Sequence, residues 1–254
     1  MVARIDRTGE EGINNFNSKM VIIKYVNQEN IDVYFPEYDW IAKNKQYCNF
    51  KRGYIKCPYE RRFYDEGYLG EGKYKPSENG KDTKYYKIWY GMLQRCYDDK
   101  FHKRQPRYKD CYVEDYWLDF QNICEWLDEN YYEVQGERMH LDKDILLNGN
   151  KMYSRNTCLI VPQRINSLFI YKKNKNSDLP HGIHRHGSKY RAMCSDDSKK
   201  ILLGTYKTIE EAFAVYKEFK ESVIKQVADE YYSKGLIPKK VYDALYNYEV
   251  LITD

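Results

Sequence analysis

The C-terminal stretch of residues 178–232 constrains the fold more than any other part of the chain. It contains three short runs rich in β-branched and aromatic residues, separated by Gly/Ser and Asp/Ser turn residues, which predicts three strands. Thr208 follows them, with Glu211 three residues later, the pattern of a helix capping box. The helix that begins there has a continuous apolar face and can cover one side of the predicted sheet. The predicted strands cover residues 183–186, 189–194 and 200–206.

A second compact unit lies between Leu141 and Asn166. It combines two acids, a turn rich in Asn and Gly, and a further asparagine, which predicts a strand, a turn, a return strand and then a helix around residues 162–169. Carboxylate and amide oxygens are ligands that hard cations such as Mg²⁺ prefer. The polar residues of interest are Asp142, Asp144, Asn148, Asn150 and Asn156.

This unit resembles the metal-binding hairpin of phage HNH-type endonucleases. Two upstream blocks, residues 89–97 and 112–120, are similar to the leader that precedes the hairpin in those families, so the resemblance covers about residues 86–170. It implies an HNH-like ββα-metal domain with flanking helices over residues 81–172. It also implies Mg²⁺- or Mn²⁺-dependent cleavage of double-stranded DNA in a protein of phage or mobile-element origin.

The resemblance assigns roles to individual residues. Asp142 matches the metal ligand at the end of the first strand, and Asn156 matches the asparagine at the helix start that completes the metal shell. Either Asn148 or Asn150 matches the asparagine that braces the turn. Asn166 matches a later asparagine of the same families.

One departure from the pattern concerns the catalytic base. Lys143 stands where the family has its histidine, and a lysine is protonated near neutral pH, which makes it a poor base. His140 lies two residues before Asp142, on the same face of a strand, and is either a substitute base or a structural residue. Asp144 is a candidate second ligand or water-orienting group. Catalysis and a hairpin that only binds DNA therefore both remain open.

The stretch of residues 181–220 resembles the APETALA-type DNA-binding domain, in which a three-stranded sheet enters the major groove and a helix packs behind it. This chain departs from that pattern with Tyr190 in place of the usual tryptophan and with histidines in place of some arginines. The residues expected to contact DNA are Arg185, Lys189, Tyr190, Arg191 and Lys200.

Local charge supports the same expectation independently of the resemblance. Residues 171–207 contain nine Lys or Arg and three Asp, whereas the whole chain has a formal net charge of only +4. Such an excess in one segment is what a phosphate-binding face needs. The other interpretation is a solvated basic surface on a small sheet.

The rest of the chain predicts further elements. Residues 1–60 are expected to form a small β module, with a hairpin turn at residues 27–30 and another strand at residues 50–58. Residues 61–80 have the composition of a linker, and residues 233–254 form a tail without a predicted role. Two amphipathic helices are expected within residues 84–130, the second capped by Asp115.

Cysteine usage and hydropathy restrict the compartment and the partners. The 7 cysteines are scattered without a C-x-x-C pair, and there is neither a long apolar run nor a secretory signal, so a cytoplasmic protein without a membrane partner is expected. If the chain is phage-encoded, this is the host cytoplasm. The cysteine spacing is poor for structural zinc, so no zinc is expected.

The sequence therefore predicts an α+β protein made of modules. The leading interpretation is a DNA-binding protein whose HNH-like domain is a Mg²⁺-dependent endonuclease. The alternative is a catalytically degenerate regulator, or an inhibitor of a host system, that keeps only the nuclease frame. A third interpretation assigns protein binding, with a host protein as partner, to residues 1–60.

Overall fold

The computed structural model describes residues 5–170, 178–196 and 199–253, and it confirms the α+β class. The chain divides into two compact units, Met1–Asp128 and Glu129–Asp254. This division falls inside the HNH-like domain expected at residues 81–172, and it does not coincide with the boundaries expected at residues 60, 80 and 172.

The first unit begins with a four-stranded antiparallel meander in the order β1-β2-β3-β4. The tight turn at Gln28 and Glu29 between β2 and β3 confirms the predicted hairpin. Alternate residues of these strands point inward, so Met20, Ile22 and Val33 are fully buried. The strands are β1 (Glu11–Ile13), β2 (Lys19–Asn27), β3 (Asn30–Phe35) and β4 (Trp40–Lys45).

The strand predicted at residues 50–58 is wrong. That region starts in a short helix, α1 (Tyr47–Lys51), and continues without regular structure. Gly53 has a φ of +68° and its N–H donates to the carbonyl of Phe50, which ends the helix. The buried Phe50 packs on Gly12 of β1, so this aromatic residue contributes to the core from a helix and not from a strand.

The segment predicted as a linker, residues 61–80, makes specific contacts within the first unit. The ring centroids of Phe63 and Trp89 are 4.9 Å apart. The backbone of Tyr68 donates to Leu118 O and accepts from Phe120 N, both at 3.0 Å. The segment leads into a small hairpin of β5 (Ser77–Glu78) and β6 (Lys81–Asp82).

The two predicted amphipathic helices are present. Trp89 and Leu93 of the first are buried, whereas Tyr90 of the same predicted stripe is exposed, and the apolar stripe of the second is buried. The second one differs from the prediction in two ways. Asp115 is its first residue and not its cap, which is Glu114. The helix is also interrupted at Asp119, whose Oδ1 accepts from the N–H of Gln121 and so caps a new helix. The elements here are α2 (Lys84–Tyr97), α3 (Asp99–Arg104), β7 (Tyr112–Val113), α4 (Asp115–Leu118) and α5 (Phe120–Asn130).

The described residues of the second unit form a two-stranded antiparallel ribbon of β8 and β10, a three-stranded sheet in the order β11-β12-β13, and three helices. The predicted capping box of Thr208 and Glu211 is confirmed at the start of the long helix α7. The elements are β8 (Met139–Asp142), β9 (Met152–Tyr153), β10 (Leu159–Pro162), α6 (Gln163–Leu168), β11 (Ile183–His186), β12 (Lys189–Asp196), β13 (Lys199–Tyr206), α7 (Ile209–Ser233) and α8 (Lys239–Tyr246).

One hydrophobic core joins all parts of the second unit. It includes Val161 of the ribbon, Ala192 of the sheet, Tyr216 of α7 and Leu245 of α8. The ribbon and the sheet therefore belong to the same folded body, and the C-terminal tail without a predicted role supplies part of that core through α8. Within the described parts of the chain, the structure has no helix of the length and apolarity needed to cross a membrane.

Candidate nucleic-acid interface and hairpin site

The candidate hairpin site lies where β8 ends. In the β8–β10 ribbon, Asp142 is paired with Leu159 and Met139 with Pro162, and α6 begins at the next residue after β10. The order of elements is therefore β8, a loop that includes the short strand β9, then β10 and α6. The loop between the strands spans residues 143–158 and holds most of the polar residues that the sequence singled out.

Asp142 caps the first turn of this loop. Its Oδ1 accepts hydrogen bonds from the N–H groups of Asp144 and Ile145, both at 2.8 Å. Burial raises the pKa of the Asp142 carboxyl, an effect that these two N–H donors and the nearby ammonium of Lys143 oppose. The carboxylate is thus engaged in holding the backbone of the loop.

Lys143 is buried, with 5% of its surface exposed. Its ammonium group donates to Asp144 Oδ1 at 2.6 Å and to the carbonyl oxygen of Asn150. A lysine in this arrangement ties the start of the loop to its middle. Contact with a phosphate would require these bonds to break, so the geometry favours a structural role for Lys143 over the predicted catalytic one.

Asn150 is the asparagine that braces the loop. Its side-chain amide donates to the carbonyl oxygens of Lys143 at 2.8 Å and Met152 at 2.7 Å, and its Oδ1 accepts from Met152 N at 3.0 Å. Asn148, the other candidate, donates a long hydrogen bond of 3.5 Å to Glu249 O. The sequence left this choice open, and the structure favours Asn150 as the brace.

The remaining hairpin candidates lie apart along the chain. His140 Nε2 lies 2.6 Å from Oε1 of Gln163, the first residue of α6, so His140 links the strand to the helix. The expectation that Asn156 lies at the start of the helix is wrong, because it is exposed in the turn before β10. The helix itself carries the half-buried Asn166.

These residues do not fit a metal site of the expected kind. Asp142 Oδ1 already accepts two N–H groups, Asn156 is not on α6, and a buried ammonium follows Asp142 directly. Across residues 5–170, 178–196 and 199–253, no three His, Cys, Asp or Glu side chains come together in a way that could hold a metal ion.

The three-stranded sheet of the second unit has one open face. Residues opposite each other in a ladder share a face, and alternate residues of a strand point the same way. The register pairs Arg191 with His184 and Thr205, Lys189 with His186, and Ser195 with Lys200. The neighbouring positions Ile183, Ala192 and Cys194 are buried on the opposite side. The open face therefore carries Lys189, Arg191 and Lys200 together.

Two of the five predicted DNA contacts lie on the other side of the sheet. Arg185 and Tyr190 are paired with each other and share the face that packs toward α7, where Tyr190 joins the core. The guanidinium carbon of Arg185 lies 5.5 Å from the centre of the Tyr190 ring. Arg185 and Tyr190 therefore do not share a face with Arg191, because the alternation of a strand places neighbouring residues on opposite sides.

Arg191 is oriented by a histidine that the sequence analysis did not select. Its Nη2 donates to His186 Nε2 at 2.8 Å, across the β11–β12 hairpin. The residues missed on this face are His184, His186, Leu202 and Thr205. Strand alternation and hairpin register would have found them, once the turn at Gly187 and Ser188 was placed.

Comparison of the chain with protein-family models, with curated proteins and with solved structures finds no match. The resemblance to the HNH-type and APETALA-type families therefore rests on the motifs in the sequence alone.

Proposed function

We propose that this protein binds double-stranded DNA through the open face of the β11–β13 sheet, and that its hairpin is a nuclease-like frame without cleavage activity. The observation that supports binding is the grouping of Lys189, Arg191 and Lys200 on one solvent-facing surface. No carboxylate is present among the described side chains of that face. We thus favour the catalytically degenerate DNA-binding protein over the active endonuclease.

The chemistry of this face suits the DNA backbone and the major groove. Each cation that meets a phosphate releases a counterion, which supplies most of the sequence-independent affinity. An arginine whose guanidinium is oriented by a neighbour can pair with the O6 and N7 atoms of guanine, and Arg191 is held this way by His186. Lys189 and Lys200 are both exposed and suit contacts with phosphate.

The geometry of the hairpin argues against cleavage. A nuclease needs a base and an open ligand set, whereas Lys143 is buried in an ion pair and Asp142 accepts two backbone N–H groups. In this proposal the loop of residues 143–158 is a structural element of the second unit. A location in the cytoplasm, where DNA is accessible to a phage-encoded protein, belongs to the same proposal.

Metal-dependent DNA cleavage is the second candidate function. The order of β8, β10 and α6 and the bracing by Asn150 favour it, since HNH-type hairpins have the same order. The test is incubation of wild-type protein and Asp142→Ala with supercoiled plasmid in Mg²⁺ and separately in Mn²⁺. We expect no nicking by either protein; nicking by wild type alone would make the protein an endonuclease.

Binding is tested by fluorescence anisotropy with a labelled duplex of mixed sequence. The key variant combines Lys189→Ala, Arg191→Ala and Lys200→Ala. Its matched control combines Lys234→Ala, Lys239→Ala and Lys240→Ala, which removes the same charge from exposed positions of the same unit outside the sheet. We expect at least tenfold weaker binding for the first variant only.

A further inference from the structure

An apolar pair interrupts the basic face of the C-terminal sheet. Leu202 of β13 is 56% exposed and is paired with Met193 of β12, which is half-buried. Lys200 lies two residues before Leu202 on the same face, and Arg191 lies two residues before Met193. The pair is therefore flanked by the cations that the proposed function uses.

A β-bulge determines which side chains of β13 reach this face. Ala192 of β12 is paired with Gly204 of β13, and the next residue, Met193, is paired with Leu202. Leu203 is therefore the extra residue of the bulge. Gly204 has a φ of +148°, and a Cβ there would lie 2.5 Å from a tyrosine hydroxyl, so the bulge needs glycine. Leu203 packs on the core, whereas Leu202 stays exposed.

The chemistry of base edges supplies a partner for such a pair. In the major groove, bases present hydrogen-bond donors and acceptors, and thymine alone among the four common bases adds a methyl group at C5. An ammonium or guanidinium group gains little from a methyl group, whereas an exposed aliphatic side chain buries it. The basic surroundings and the exposed leucine therefore fit the same ligand, duplex DNA.

We propose that Leu202, supported by Met193, contacts the methyl group of a thymine in the major groove, so that the protein prefers DNA with thymine at one position of its site. This inference rests on the proposed DNA-binding function. It makes Leu202 a specificity residue, in contrast to Lys189 and Lys200, whose contacts with phosphate carry no sequence information.

The size of the effect follows from the area of one methyl group. Removing one buried methyl contact weakens binding about fourfold. Deoxyuridine is the matched probe because it keeps every hydrogen-bonding group of thymine and lacks only the methyl group. The control variant is Leu147→Ala, since Leu147 is also 56% exposed and lies in the loop between β8 and β10, outside the sheet.

The experiment uses the full chain. Duplexes that the wild-type protein retains from a randomised library are recovered, and each thymine of the recovered site is replaced in turn by deoxyuridine. Anisotropy titrations then compare wild type, Leu202→Ala and Leu147→Ala. We expect one position at which deoxyuridine weakens wild type and Leu147→Ala about fourfold, while Leu202→Ala binds both duplexes equally.

Other outcomes separate this inference from the function on which it rests. If the recovered duplexes have no thymine in common, or if deoxyuridine changes nothing at any position, the inference is overturned and DNA binding stands. If Leu202→Ala keeps the full response to deoxyuridine, another residue reads the methyl group and the assignment is overturned. If no duplex is retained, the proposed function fails together with the inference.

Discussion

Lys143 Nζ lies 2.6 Å from Asp144 Oδ1, and the lysine is buried while the carboxylate is partly exposed. The same ammonium group also donates to the carbonyl oxygen of Asn150, so one cation connects the start of the hairpin loop to its middle. A histidine would be the expected base at this position in an HNH-type hairpin. The lysine instead makes the loop a self-contained structure, which is why we assign function to the sheet.

Replacing Lys143 tests this structural role. Lys143→Met keeps the length and the apolar part of the side chain but leaves a carbonyl oxygen and Asp144 without the ammonium. We expect the free energy of unfolding to fall by about 1–3 kcal/mol, with DNA affinity unchanged within twofold. Urea denaturation and anisotropy measure the two quantities. Wild-type stability in this variant would show that the ion pair does not hold the loop.

Asn150→Ala and Asn156→Ala form a matched pair in the same loop. Asn150 makes three hydrogen bonds to the backbone, whereas the side chain of Asn156 is exposed. We expect Asn150→Ala to lower the free energy of unfolding by about 2–3 kcal/mol and Asn156→Ala by less than about 0.5 kcal/mol. Equal losses in urea denaturation would contradict the assignment of Asn150 as the brace.

The stability of wild type should depend on pH through Asp142. Burial raises the pKa of its carboxyl, so the folded state binds a proton more tightly than the unfolded state does. The stabilisation is full below the ordinary pKa of aspartic acid and is lost as pH rises through the raised value. Asp142→Asn, which keeps the oxygen that accepts from Asp144 and Ile145, should remove this dependence.

Urea denaturation of wild type and Asp142→Asn at a series of pH values measures how the free energy of unfolding depends on pH. We expect the stability of Asp142→Asn relative to wild type to increase as pH rises from the ordinary aspartate range toward neutrality. Parallel pH curves for the two proteins would mean that Asp142 titrates alike in the folded and unfolded states.

Arg191 and Arg185 are separated by strand alternation, and DNA binding should distinguish them. Arg191 lies on the open face, and Arg185 lies on the face shared with Tyr190. We expect Arg191→Ala to lower the salt slope by about one unit if it meets phosphate, or to cost about 1–3 kcal/mol at one base pair if it reads guanine. Arg185→Ala should leave anisotropy curves within twofold of wild type. The reverse order of effects would place the interface on the other face.

Local sequence patterns correctly predicted the elements that are determined by residues close together in the chain. The three C-terminal strands, the capping box of Thr208 and Glu211, and the β2–β3 turn each depend on residues close together in the chain. The strand Trp40–Lys45 was missed because four of its six residues are exposed and its second half is polar. The strand predicted around Phe50 failed because Gly53 ends a helix there.

Features of the candidate sites that depend on distant contacts were not predictable. The shared core of the ribbon, the sheet and α8 arises from residues far apart in sequence, such as Val161 and Leu245. The position of Asn156 depended on where β10 begins, which its own neighbours do not indicate. The placement of Arg185 and Arg191 on opposite faces could be predicted from strand alternation only once the register of the β11–β12 hairpin was known.

The salt dependence of DNA binding tests the central claim most directly. Affinity for one labelled duplex is measured at several salt concentrations for wild type, for the Lys189/Arg191/Lys200 triple alanine variant and for the Lys234/Lys239/Lys240 control. The account predicts that the slope of log affinity against log salt falls by about two to three units in the first variant and stays at the wild-type value in the control. Equal slopes and equal affinities for the two variants would contradict a DNA interface on this sheet.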